Sequence, residues 1–226
     1  MSTVESLLDA HSDAGLVISS MASHVEGMVD DAIDALLTMN SELARRILRK
    51  EVVANALEMH IDQVIQASLA RGDLGASEIR RLVAMLKINK DLERVGDLAA
   101  NIGRRVSAPA EGRTIGHDFS ALQPLAIAVS HLAKKTLRAL ARRDLLLATH
   151  ARSETTRVDA YRNHVLHQLQ KNPGNAAGRP GDLDLLLASR NLEQIADHTA
   201  NVAESLIFWL GSRKPCPEAG DNRIAV

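Results

Sequence analysis

The chain of 226 residues has one cysteine, very few aromatic residues, little proline and no long apolar run. The lone Cys216 cannot form an internal disulfide, which favours a reducing compartment. Aromatic residues make up 2% of the chain and hydrophobic residues 46%, with six prolines, a composition typical of a helical bundle. No apolar stretch approaches the length of a transmembrane helix, and no signal segment opens the chain. We therefore expect a soluble cytoplasmic protein.

The chain also has a small net charge and lacks several common catalytic motifs. The formal net charge is −1, so no global field indicates a nucleic-acid partner. The sequence lacks a glycine-rich phosphate loop, a nucleophile elbow and an HExxH motif. It also lacks the Glu-x-x-His pairs of a di-iron bundle enzyme. We therefore do not expect an enzyme.

One stretch of the chain occurs twice, one hundred residues apart. Residues 92–102 read LERVGDLAANI, and residues 192–202 read LEQIADHTANV. Leu, Glu, Asp, Ala and Asn recur in register, while Val and Ile exchange at apolar positions. Because an internal repeat fixes the architecture of a chain, this pair indicates two homologous halves.

Each copy places acidic and amide side chains in one stripe along a helix. Positions i, i+4 and i+8 share a helix face, opposite the apolar residues of the motif. Like charges at i and i+4 destabilise a helix by about 0.2–0.5 kcal/mol, and a bound cation would reverse that effect. The alternative is a solvated helix face. The candidate metal ligands are Glu93, Asp97, Asn101, Glu193, Asp197 and Asn201.

The hydrophobic periodicity predicts an all-α fold with three helices in each half. Asn40 or Ser41 is suited to cap the second helix and Asp144 the fifth, the segment 71–75 with its two glycines to end the second, and Pro124 to the first turns of the fourth. We expect two tandem three-helix bundles related by an internal pseudo-two-fold repeat, with short connections between antiparallel neighbours. The predicted helices cover residues 7–38, 42–69, 77–106, 119–142, 145–171 and 182–210. The predicted domains are 1–106 and 119–210, with a linker at 107–118 and a disordered tail at 211–226.

The paired motifs at 92–102 and 192–202 resemble the two signature helices of the PhoU family. Members of this family are accessory and regulatory proteins of the bacterial phosphate-specific transport system. The resemblance implies the fold of two three-helix bundles. It also implies two partners: the phosphate ABC transporter, through its ATPase subunit, and the sensor histidine kinase that controls phosphate-starvation genes. Contact with the membrane would then be through partners only.

The resemblance also implies metal clusters held by pairs of acidic motifs on neighbouring helices. Glu51 and Asn55 would complete the site of the first half, and Glu154 that of the second, although Val158 stands where a polar ligand is expected. The implied cofactors are divalent or trivalent metal ions, with an iron cluster among the candidates. Ligand type alone would equally suit Zn, Mg, Mn or Ca.

Two other functions remain open at this point. The chain could be a PhoU-like companion of another anion or phosphate permease, or a metal-dependent hydrolase built on a helical bundle. We also expect a homodimer, because an apolar first helix is seldom covered on all sides within one copy and because PhoU proteins are commonly dimers.

The remaining charged motifs are two basic patches, which in most proteins are solvated faces and in a minority serve to dock an acidic partner. The first patch contains Arg45, Arg46, Arg49 and Lys50, and the second contains Lys134, Lys135, Arg138, Arg142 and Arg143.

Overall fold

A computed structural model describes residues 14–107, 119–170 and 182–211 of the chain. Those residues form α-helices and one short 3₁₀ helix at Phe119–Leu122, with no strand among them. The predicted linker and tail lie outside the described residues, apart from Ser107 and Gly211, which end two helices. The helices are α1 (Ala14–Thr38), α2 (Ser41–Ala70), α3 (Ala76–Ser107), α4 (Gln123–Arg142), α5 (Leu145–Ser153), α6 (Thr155–Gln170) and α7 (Asp182–Gly211).

Local sequence signals set several helix ends as expected. The side chain of Asn40 accepts hydrogen bonds from the backbone N–H groups of Glu42 and Leu43 at 2.9 and 3.2 Å. Asp144 caps α5 by accepting from the Leu147 N–H at 3.0 Å. Gly72 follows α2 with a φ of +75°, which a residue without Cβ adopts at little cost. Side-chain oxygens thus satisfy helix donors that would otherwise lack partners.

The fifth predicted helix is wrong as a single element, because it is interrupted at Glu154 into α5 and α6. The side chain of Ser153 donates to the His150 carbonyl at 2.8 Å, and Thr155 donates to the Arg152 carbonyl at 3.1 Å. Hydroxyl groups that bond to nearby carbonyls compete with the regular helix ladder. The short polar side chains on both sides of Glu154 therefore account for the break.

The helices pack as two three-helix bundles, which confirms the predicted fold class. Helices α1, α2 and α3 form the first bundle, while α4, α7 and the α5–α6 pair form the second. The bundles meet through α3 against α7 and through α1 against α4. Buried side chains from both bundles belong to one continuous hydrophobic core. The limits of the two domains along the chain stay a prediction.

Helix α3 approaches α2 closely at one of its two interior glycines. A Cβ atom on Gly103 would lie 3.2 Å from the backbone oxygen of Ala44 and 3.4 Å from Cδ1 of Ile47. A Cβ atom on Gly96 would lie at ordinary contact distance, 3.7 Å from Cε of Met28. The small residue is therefore required at position 103 and not at position 96.

This difference predicts opposite outcomes for two matched substitutions in α3. Gly96→Ala should raise the free energy of unfolding by about 0.5–1 kcal/mol, because alanine is the better helix former. Gly103→Ala should gain nothing or lose stability, because the added methyl group forces α2 to move. Urea unfolding of both variants measures the difference. Equal stabilisation by the two changes would contradict the close packing at Gly103.

Candidate functional site

The carboxylates of the first half come together along the antiparallel seam of α2 and α3. Glu51 projects from α2, and Glu93 and Asp97 project from successive turns of α3. Their side chains are 17%, 15% and 33% exposed, so the group is partly shielded from water. We call these three residues the acidic seam. The seam unites one residue predicted by resemblance with two residues of the repeated stripe.

Three cationic side chains border the acidic seam. Lys90 Nζ lies 2.8 Å from Glu93 Oε2, and Arg94 lies 3.8 Å from both Glu93 and Asp97. Arg104 Nη2 donates to Glu51 Oε2 at 2.6 Å. All three cations are about half exposed and lie at the rim, where ion pairs contribute little to stability.

The amides that flank the acidic seam lie at its surface. Asn101 is exposed, and its Oδ1 accepts from Arg104 Nη1 at 2.9 Å. Asn55, one turn after Glu51 on α2, is also exposed. Arg104 therefore contacts both Asn101 and Glu51.

Mutual repulsion remains within the acidic seam despite its cations. Burial raises the pKa of Asp97, and the carboxylates of Glu93 and Glu51 raise it further, against the opposing charge of Arg94. Two turns after Glu51 on α2, burial raises the pKa of Glu58, and Asp62 and Glu93 add to the rise. Bringing the carboxylates together thus disfavours the charged forms of Asp97 and Glu58, and an added cation would stabilise those forms.

Sequence reasoning missed Asn89, which extends the acidic stripe by one turn. Asn89 is 1% exposed, and its Nδ2 donates to the Glu58 carbonyl at 3.0 Å and to Asp62 Oδ1 at 2.9 Å. Its own Oδ1 is buried without a hydrogen-bond partner among the described residues. The signal was available, because Asn89 lies four residues before Glu93.

The equivalent side chains of the second half are not brought together. Glu193 pairs with Arg162 of α6 at 2.7 Å, and Asp197 is exposed on α7. Asn201 contacts Asp91 of the other bundle, with Nδ2 3.3 Å from Asp91 Oδ1. Glu154, the expected partner of Glu193 and Asp197, instead forms an ion pair with Lys135 of α4. Glu154 is also the residue that separates α5 from α6.

Two ion pairs at equivalent positions, one in each half, show how the halves differ. In the first half Glu51 of the second helix pairs with Arg104 of the signature helix. In the second half the signs are exchanged, because Arg152 of α5 pairs with Glu204 of α7. Arg152 and Arg162 therefore lie beside the α7 stripe where α2 presents acids, and they leave fewer carboxylates to share a cation.

One polar contact joins the two signature helices. His198 of α7 lies with Nδ1 2.9 Å from Asp91 Oδ1 of α3, and Arg105 Nη1 lies 2.7 Å from Asp184 Oδ1 nearer the start of α7. The antiparallel helices α3 and α7 are thereby linked at two levels. The contact with Asp91 gives His198 a partner in the other bundle.

The fit of the residues to a metal differs between the halves. Carboxylates with nearby amide oxygens are suitable donors for hard cations, and the acidic seam supplies three carboxylates at one place. Within the described ranges, however, no group of three or more His, Cys, Asp or Glu residues is arranged to hold a metal ion. For a metal to bind at the acidic seam, the three carboxylate side chains would have to turn inward and the bordering cationic side chains outward. Metal ligation therefore stays a prediction, and the first half fits it better.

The raised pKa of Asp97 predicts a small gain from removing its charge. A carboxyl whose pKa is higher in the folded state destabilises the fold above that pKa, and protonation relieves the cost. Asp97→Asn should therefore raise the stability of the chelator-treated protein at pH 7 by about 0.2–0.5 kcal/mol. Asp197→Asn, at an exposed position, is the control and should change little. Denaturant unfolding at pH 7 tests the pair, and a loss of stability in Asp97→Asn would contradict the assigned repulsion.

These features define a class: an all-helical protein of two duplicated bundles, joined through their signature helices, with paired acidic stripes and no catalytic motif. The model of the PhoU domain matches residues 18–106 and 124–206, once in each half. The chain belongs to the PhoU family. This membership classes it with accessory proteins of phosphate transport and not with enzymes.

Individual relatives cover most of the chain. It is 30% identical over 203 residues to the phosphate-specific transport system accessory protein PhoU homolog of Zymomonas mobilis, covering 89% of this chain and 85% of that protein. It is 31% identical to the homolog of Pseudomonas aeruginosa, covering 84% and 78%. The crystal structure of PhoU from Pseudomonas aeruginosa matches with a TM-score of 0.81 at 29% identity, over 88% of this chain and 96% of that one. The PhoU structure from Streptococcus pneumoniae, at 20% identity, shares the fold with a TM-score of 0.77, over 90% and 95%.

Proposed function

We propose that this protein is a PhoU-type regulator of phosphate uptake. It acts as a non-enzymatic, metal-binding adaptor between the phosphate ABC transporter and the sensor histidine kinase of phosphate starvation. When phosphate is sufficient, it restrains the starvation response. The observation that carries the proposal is the match of the PhoU domain to both halves, together with similarity to phosphate-transport accessory proteins over most of the chain.

The arrangement of the helices supports an adaptor role. The two bundles share one core, so a contact made by one bundle can bias the packing of the other. None of the helices in the described ranges is long and apolar enough to cross a membrane. In this proposal the protein reaches the membrane through the ATPase subunit and the kinase.

Co-purification tests the proposed partnership. The tagged protein, expressed with the untagged ATPase subunit of the phosphate transporter, should retain that subunit through washing. The ATPase subunit of an unrelated ABC importer is the matched control. Retention of neither subunit would count against the adaptor role. Preferential retention of another anion or phosphate permease component would instead favour the PhoU-like companion of a different permease.

We also propose that the protein forms a homodimer. Several large apolar side chains remain exposed in the single copy, including Leu146 at 75%, Val52 at 67% and Leu183 at 66%. Burial of such side chains between copies would be favourable. Light scattering at micromolar concentration should give twice the mass of one chain, and a strict monomer would refute the proposal.

A further inference from the structure

The two basic patches found in the sequence differ in how many of their cations have a carboxylate partner in the folded protein. In the first patch Arg45 and Arg49 pair with Glu42, while Arg46 and Lys50 pair with Asp31. Every cation of that patch therefore has a carboxylate within the same bundle. This patch is part of the framework of the first bundle.

Three residues of the second patch, Lys134, Lys135 and Arg138, line a groove in the other bundle. A cavity of about 310 Å³ lies between α4 and the α5–α6 pair. The basic side chains that line the cavity come from two helices that are distant in sequence. Helix α6 contributes one arginine, and α4 contributes the others. We call the following residues the basic groove: His131, Lys134, Lys135, Arg138 and Arg157.

Two cations of the basic groove lack an anionic partner. Lys134 pairs with Asp30 at 3.0 Å, and Lys135 pairs with Glu154, the one carboxylate in the lining. No ion pair or hydrogen bond of the Arg138 or Arg157 guanidinium occurs within the part of the chain that the structure describes. Two positive charges therefore remain uncompensated in one cavity, although the chain as a whole carries a net charge of −1.

The basic groove continues into a second cavity with an apolar wall. That cavity, also about 310 Å³, shares His131, Glu154 and Arg157 with the groove. Its remaining lining includes Pro124, Ile127, Ala128 and Tyr161. A ligand could therefore place an anionic group between the guanidinium groups and an organic body beside the tyrosine ring.

We propose that the basic groove binds a phosphoryl group, either free orthophosphate or the phosphate of a small organic molecule. A guanidinium presents paired N–H donors in a planar fork that matches phosphate oxygens, and hydrogen bonds between charged groups are the strong ones. Arg138 and Arg157 supply the forks from facing helices, and His131 supplies a further ring nitrogen. The bound anion removes the repulsion between the two arginines. The inference rests on these charges and does not depend on the proposed function.

Isothermal titration calorimetry at low ionic strength tests the site with orthophosphate and with AMP as probes. The wild type should show saturable binding. Loss of each charge-assisted contact should weaken binding by about tenfold, so Arg138→Gln with Arg157→Gln should weaken it about a hundredfold. The matched control is Arg45→Gln with Arg49→Gln, which removes two arginines from the first patch and should leave affinity unchanged. Circular dichroism should show both double variants folded, because all four side chains are exposed.

The outcomes separate the site from general anion attraction. Tighter binding of AMP than of orthophosphate supports an organic phosphate that uses the apolar cavity, and the reverse order supports free orthophosphate. Equal losses in the two double variants would overturn the site. Sulfate binding as tightly as phosphate would also overturn it, because the groove would then be an unselective cationic surface. Arg138→Lys should bind less tightly than wild type, because lysine keeps the charge and loses the fork.

Discussion

Replacement of Asp31 by alanine is expected to lower the free energy of unfolding by about 2–3 kcal/mol, the largest loss of stability predicted for this chain. Asp31 is 7% exposed within α1. Arg46 Nε donates to Asp31 Oδ2 at 2.9 Å, a second guanidinium N–H reaches Oδ1, and Lys50 Nζ donates to Oδ2 at 2.8 Å. Removing the carboxylate leaves two cations of α2 without their anion. The free energy from denaturant unfolding measures the loss.

Asp34→Ala is the matched control for this prediction. Asp34 lies almost one turn later on α1 and is exposed, so its loss should cost less than about 0.5 kcal/mol. Similar losses in the two variants would show that the effect comes from charge or helix propensity and not from the contacts of Asp31.

The same contacts predict how stability depends on pH. Burial alone would raise the pKa of Asp31, but hydrogen bonds from Arg46 and Lys50, together with their charges, hold it below its ordinary value of 3.8. A carboxyl with a lowered folded-state pKa stabilises the fold above its unfolded pKa, and the contribution is lost as pH falls through the folded pKa. The stability gap between wild type and Asp31→Ala should therefore be constant from pH 7 to about pH 5 and shrink below about pH 4.

Loss of metal is the second large effect expected. After removal of metal with a chelator and reconstitution, the wild type should bind a divalent or trivalent ion at the acidic seam. Asp97→Ala should remove most of it, because the neighbouring acids disfavour the charge of Asp97 and a bound cation would relieve that repulsion. Asp197→Ala should remove less, because Asp197 is exposed in the half where Arg162 already pairs with Glu193. The variant carrying both changes should bind none and keep its helicity.

Elemental analysis and thermal melts test this prediction together. Added metal should raise the melting temperature of the wild type, because a ligand that binds the folded state stabilises it. Occupancy should fall in mild acid as the ligands protonate. If the wild type binds no metal after reconstitution, the acidic stripes are better interpreted as a docking surface for a basic partner. Equal losses in the two single variants would contradict the stated difference between the halves.

Much of the fold could be predicted from the sequence, because the signals are local. Asn40, Asp144 and Gly72 fix helix ends through bonds within a few residues, and apolar periodicity identifies the buried faces. The duplicated motif at 92–102 and 192–202 predicted the two bundles and the family. The helix break at Glu154 could not be predicted from apolar periodicity, because it comes from the hydroxyl groups of Ser153 and Thr155, which bond to nearby carbonyls.

The partners of the stripes could not be predicted from spacing within one helix. The seam forms in the first half because the register of α2 against α3 places Glu51 beside the stripe. In the second half the register places Arg162 beside Glu193, and Glu154 pairs with Lys135 on a different helix. The family resemblance implied that Glu154 is the counterpart of Glu51, whereas the observed ion pairs match Arg152 to Glu51 with the charge exchanged.

The regulatory role is tested most directly by expression of phosphate-starvation genes in cells grown with ample phosphate. Cells that lack this protein should express those genes at a high level, and supplying the wild-type chain should restore repression. A variant with an unrelated exposed change, Asp34→Ala, should restore it as well. Unchanged expression in cells that lack the protein would contradict the proposal that it restrains the phosphate-starvation response.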